Sequence, residues 1–185
     1  MTTVLGLFDT YEKADNAVRT LRERGYPESD ISVLAREQAI PSAREAPSQK
    51  NDPTSAMAGI GAVTGGIGGL SLALFALAAP GVGAMLGVGT LGTIVAGGAV
   101  GTGAGAGAGG ILGALANMNI PHEEAQVYAE GVKRGGILVG VEVSDAQVDT
   151  TRGIMRDAGA LDINTTREEW QRGGWKQFDE TDKSG

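Results

Sequence analysis

"VGTGAGAGAGGILGA", from Val100 to Ala114, decides the fold, because glycine and alanine at this density fit four incompatible structures. These are a polar linker, a silk-like strand, a phosphate-binding loop, and a helix face stripped bare so that another helix can lie on it. A flexible linker is polar and often charged, whereas the neighbouring stretches carry Leu70, Leu72, Leu74, Phe75, Ile94 and Ile111. Strict alternation runs only from Gly103 to Gly109, where period two would put every glycine on one sheet face. Gly105 to Gly110 matches G-x-G-x-x-G, but a dinucleotide fingerprint also needs a preceding strand, a long following helix and an acidic ribose partner about twenty residues on. Pro121 comes too soon for such a helix, and the region has no lysine for a phosphate loop, so no cofactor is expected.

Helical spacing accounts for more of the pattern. Gly97, Gly101, Gly105, Gly109 and Gly113 recur at intervals of four, and Gly61, Gly65 and Gly69 do the same earlier. Residues four apart share a helix face, and rows of glycine make a groove in which a second backbone settles. Each such glycine costs a helix in water about 1 kcal/mol relative to alanine, so the rows suit lipid or close protein partners. These eight glycines are the predicted helix-packing and oligomer interface.

The same region is free of charge. No Asp, Glu, Lys or Arg occurs between Asp52 and Glu123, although both flanks are rich in them. Residues 56–119 therefore read as an apolar helical hairpin turning near Pro80 and Gly81, with arms from Ser55 to Ala79 and from Val82 to Met118. About 20 residues cross a bilayer core, and Arg36, Arg44 and Lys50 precede the first arm. The expectation is a transmembrane hairpin with both termini cytoplasmic. The alternatives are a cytoplasmic particle with the hairpin buried between copies, and a soluble small-molecule-binding regulatory domain, which would leave the glycine rows unexplained. Self-association follows from the first two, so the expected partners are further copies of the chain and, in the first case, membrane lipid.

The flanks are small α+β segments. "TTVLGLF" reads as a strand, and "DTYEKADNAVRTLRERG" as a helix opened by Asp9 and Glu12 in a capping box and stopped at Gly25. Its apolar stripe is Ala14, Ala17, Val18 and Leu21. "DISVLA" is a second strand, ending a first half over residues 1–36; residues 37–55 read as a polar linker. After the insertion, residues 120–166 predict helix, strand, helix, strand. Ala125, Tyr128, Ala129 and Val132 form the first stripe, "ILVGVEV" is a strand, Ser144 and Gln147 form a capping box, and "LDIN" closes the set. Residues 167–185 read as a polar tail. Two β-α-β halves of this kind combine as a ferredoxin-like split sandwich, an antiparallel sheet with helices on one face.

"LGLFDTYEKADNAVRTLRERGYPESDISVLA" and "IPHEEAQVYAEGVKRGGILVGVEV" together resemble the general stress protein 17M-like family of bacteria. Gly6, Phe8-Asp9-Thr10, Ala14, Leu21, Gly25-Tyr26 and Asp30 to Val33 carry the first part of the resemblance; Glu124-Ala125, Tyr128, Gly135-Gly136 and Val139 carry the second. Many relatives also hold a glycine-rich apolar insertion. The resemblance implies a small non-enzymatic stress-associated protein and brings no catalytic residues with it.

Other function classes find little support. A net charge of -7 and a pI near 4.7, with no basic cluster, argue against nucleic acid. The absence of cysteine removes thiolate metal sites and cysteine nucleophiles. "MTTVLGLFDTYEK" lacks the pattern of a signal peptide. His122, the single histidine, sits at a helix start beside Glu123 and Glu124 and reads as surface, so no metal is expected. Glu142, Asp145 and Asp149 occupy a strand end and helix cap positions where carboxylates are ordinary. Arg19, Arg22 and Arg24 read as ordinary surface. Trp170 and Trp175 are candidate membrane-interface anchors, or else dock on the sandwich.

Overall fold

The computed structural model describes residues 1–41, 60–76, 84–92 and 110–179. Its strands are β1 (Thr2–Phe8), β2 (Ile31–Arg36), β3 (Ile60–Ile67), β4 (Leu70–Ala76), β5 (Ala84–Val88) and β6 (Ile137–Val143). The helices are α1 (Tyr11–Glu23), α2 (Gly110–Asn117), α3 (His122–Lys133), α4 (Val148–Asp157) and α5 (Ile163–Arg172). All six strands join one antiparallel sheet in the order β1-β6-β2-β5-β4-β3.

β6 lies between β1 and β2 and is antiparallel to each, so β1-α1-β2 is a split β-α-β unit. This is the expected ferredoxin-like arrangement for three of its four strands. Val4, Phe8, Ile31, Val33, Val139 and Val141 point to one face and meet α1 and α4 there. Ala14, Ala17, Val18 and Leu21 of α1 are fully covered, as their i, i+3, i+4, i+7 spacing requires.

Several expectations are corrected. Helices cover both faces rather than one: Leu7, Leu34, Met85 and Leu138 bury a second core against α2, α3 and Phe178. The stripe Ala125, Tyr128, Ala129 and Val132 supplies the α3 side of that core, so the helix belongs to a third layer. Gly131 makes this layer possible, since a β-carbon there would overlap the methyls of Leu7.

"LDIN" is not a strand. Asp162 accepts hydrogen bonds from the amides of Asn164 and Thr165 at 3.0 and 2.9 Å and caps α5 instead, because a local side-chain cap outcompetes a short edge pairing.

The first arm of the expected helical hairpin is a β-hairpin. β3 and β4 turn through Gly68 and Gly69, both at positive φ, and β4 pairs with β5, which extends β2. α1 fixes the turn: the Asp15 carboxylate accepts from the Gly68 amide at 2.7 Å, and the Arg22 guanidinium donates to the Gly68 carbonyl. The lateral bonds of a sheet satisfy a glycine-rich backbone that forms a helix poorly. Among the described residues no helix is long and apolar enough to cross a membrane. The turn at Pro80 and Gly81 lies outside the described residues.

The expected linker and tail also contribute structure. Ile40 is fully buried. The tail is α5 followed by a segment that returns to the sandwich, where Phe178 is buried and Lys133 Nζ donates to the Asp179 carbonyl at 2.9 Å. Finally, α1 starts without the expected side-chain cap: Asp9 pairs with Lys13 at 2.7 Å. The Ser144–Gln147 pairing does form, with the Gln147 side-chain oxygen accepting from the Ser144 hydroxyl at 2.7 Å.

Candidate functional site: the open edge of β1

Antiparallel strands send the N–H and C=O of alternate residues to opposite sides. The Leu7 carbonyl accepts from Leu161 N–H at 2.8 Å on the side away from β6, so Thr3, Leu5 and Leu7 present their main-chain groups to the outer edge of β1. Leu161 satisfies the Leu7 carbonyl. The chain then turns into α5 at Asp162, and among the described residues no strand covers Leu5 and Thr3.

A cleft of about 420 Å³ lies against that stretch of edge. Glu124 and Tyr128 of α3 form one wall, Arg152, Met155 and Arg156 of α4 form the other, and residues 160–164 close one end. Tyr128 is 6% exposed and lines the cleft. Burial pushes its phenol far above the ordinary value, with a further rise from the Glu124 charge and a partial offset from Arg152. The cleft thus joins unused main-chain donors and acceptors, a desolvated hydroxyl and two cationic side chains. The main-chain groups suit an elongated, polar-backboned ligand, and among the described lining residues no nucleophile is paired with a base.

A second, open groove of about 530 Å³ runs beside Glu123, Arg167, Glu168, Trp175 and Lys176. Its charges alternate in sign, and Arg167 and Glu123 pair across it at 3.4 Å.

The residues singled out from the sequence fall elsewhere. Gly61 and Gly65 are in β3, Gly69 is in the β3–β4 turn, and Gly113 is in α2; Gly97, Gly101, Gly105 and Gly109 lie outside the described residues. Trp170 packs against the second core, meets Trp175 edge-on at 5.8 Å between ring centres, and lies under the Arg134 guanidinium at 4.6 Å. His122 bonds to Gln126 at 2.8 Å, and no group of His, Cys, Asp or Glu suited to a metal occurs among the described residues. Glu142 accepts from Thr90 at 3.0 Å and Asp145 from Thr2 at 2.7 Å, so these carboxylates serve local bonds.

Sequence reasoning passed over Arg152 and Arg156 and took Tyr128 for a core residue only. The available signal was the i, i+4 arginine pair on α4, which places both on one helix face.

Residues 3–86 match the heat induced stress protein YflT domain family, a span just under half of the chain that runs from β1 into β5. Comparison with curated proteins and with solved structures finds no match.

Proposed function

We propose, for a chain whose residues 3–86 form a domain of this heat induced stress protein family, a role in association rather than in catalysis. The protein self-assembles through its uncharged, glycine-rich segment, and assembly is its contribution under stress. One observation carries this reading. β3, "IGAVTGGI" from Ile60 to Ile67, has no charge and no proline, and among the described residues no strand pairs with its outer side. Sheet edges that stay monomeric are usually blunted by charge, proline or a bulge; this edge has a register irregularity between Ala62 and Gly66 but neither charge nor proline, and such an edge can template a second copy. Gly61 and Gly65 keep their place at the interface, now on a strand edge that another backbone approaches closely.

Sedimentation velocity of the intact chain over a hundredfold concentration range tests it, alongside Gly65→Pro and Thr64→Lys. Discrete assemblies that both substitutions disperse support the reading; a monomer throughout the range refutes it.

A second reading is favoured by the run without charge across residues 53–122. In it the segment also contacts lipid, at an inner membrane with the termini on the cytoplasmic side. Carbonate extraction of cells separates the two: retention in the pellet supports lipid contact, and release as a sized particle supports assembly in the cytoplasm.

A further inference from the structure

We infer that the β1-edge cleft is a strand-accepting site, and that its occupant is an extended peptide segment of a partner protein carrying a carboxylate side chain. This does not depend on assembly through β3.

The geometry of the edge identifies a strand. After α4 the chain touches the edge of β1 once, through the Leu161 amide bonded to the Leu7 carbonyl, and turns into α5 before reaching Leu5 and Thr3. An incoming antiparallel segment continues the same line, bonding to the main chain of Leu5 and then Thr3. It enters between two layers, with Tyr128 on one side and Met155 on the other, so its alternate side chains meet apolar surface.

The charges select the occupant. Arg152 and Arg156 project from one face of α4 into the cleft. The Asp162 carboxylate is engaged by the Asn164 and Thr165 amides, Glu124 lies on the far wall, and Arg152 has only a long, exposed contact with Asp149 at 3.8 Å that a peptide carboxylate can displace. A carboxylate on the α4 side of the peptide therefore meets two guanidinium groups, which bind carboxylates well. The overall negative charge of the chain is screened over about 8 Å at physiological salt, so the local pair governs the contact. A second copy fits poorly: pairing two β1 edges about a two-fold axis sets each α4 layer beside its equivalent and brings arginines against arginines.

The test uses the full chain and a dye-labelled, blocked peptide, Thr-Val-Glu-Val-Thr-Val, with Thr-Val-Lys-Val-Thr-Val as its counterpart. Fluorescence anisotropy measures binding, and hydrogen–deuterium exchange maps it. Saturable binding of the glutamate peptide with slowed exchange over residues 2–8 is expected. Arg152→Glu with Arg156→Glu, both on the surface, should weaken it about ten-fold or more and improve binding of the lysine peptide. Leu5→Pro removes an outward N–H without breaking the ladder to β6 and should abolish protection over residues 2–8. No saturable binding, protection mapping to another surface, or indifference to the arginine substitutions overturns the proposal. So does protection of residues 2–8 in a peptide-free dimer, which would make the edge an interface between copies. Dispersal of the assembly by Gly65→Pro with peptide binding intact separates this site from the β3 edge.

Discussion

The amide of Leu161 donates to the carbonyl of Leu7 at 2.8 Å, and this single bond is all that the described chain builds of a fourth ferredoxin-like strand. The next residue turns the backbone away. Two amide bonds, that of Thr165 foremost, hold the Asp162 carboxyl below its ordinary pKa. A carboxylate lowered on folding contributes stability above its unfolded pKa and loses it as pH falls through the folded value. Asp162→Ala is therefore expected to lower the melting temperature at pH 7. The difference from the parent should shrink on acidification below the ordinary carboxylate range, as read by calorimetry across pH.

Gly131 and Leu7 set how closely α3 approaches the sheet. Gly131→Val would force a branched side chain into the Leu7 methyls. Overpacking of this kind costs about 1–3 kcal/mol. Urea unfolding of the variant should show the loss as a lower midpoint with an unchanged slope.

Tyr128 carries a different signature. Its phenol is raised by burial, so the unfolded chain releases that proton near pH 10 while the folded chain keeps it. Stability is therefore expected to fall as pH climbs above 10, and Tyr128→Phe should flatten that decline. Absorbance titration at alkaline pH should show one of the three tyrosines ionising late, together with unfolding.

Phe178 ties the end of the described chain to the second core. Removing a large buried aromatic side chain costs about 3 kcal/mol. Phe178→Ala should show a loss of that order, with a red-shifted emission as Trp175 gains solvent. A shift without any loss of stability would mean that the docked segment lies on the core without supporting it.

The sequence was most legible where one period dominated. β1 and β6 were readable to the residue, because short apolar β-branched runs ended at clear turn signals. The buried stripe of α1 matched its helical spacing for the same reason. Gly61, Gly65 and Gly69 misled, because a spacing of four fits a helix face while the glycines of a strand obey no period that sequence alone can weigh against it. "LDIN" misled for the opposite reason: its Asp162 suits a strand boundary and a helix cap alike, and only the tertiary position of Leu161 decides between them. The cleft was illegible as a whole, since Thr3, Tyr128 and Arg152 come from three distant segments and meet only once the sheet is assembled.

The position of β6 governs the order in which the molecule can be made. β1 and β2 leave the ribosome early, yet neither touches the other, and the strand that joins them begins at Ile137. Until then α1 can cover Val4, Phe8, Ile31 and Val33 on one face and β5 can pair with β2, but β1 has no strand beside it while the glycine-rich stretch is made. Such late, long-range closure is slow and leaves sticky surface open to other chains. Residues 3–86, the span that matches the family model, do not include β6, the strand that lies between β1 and β2.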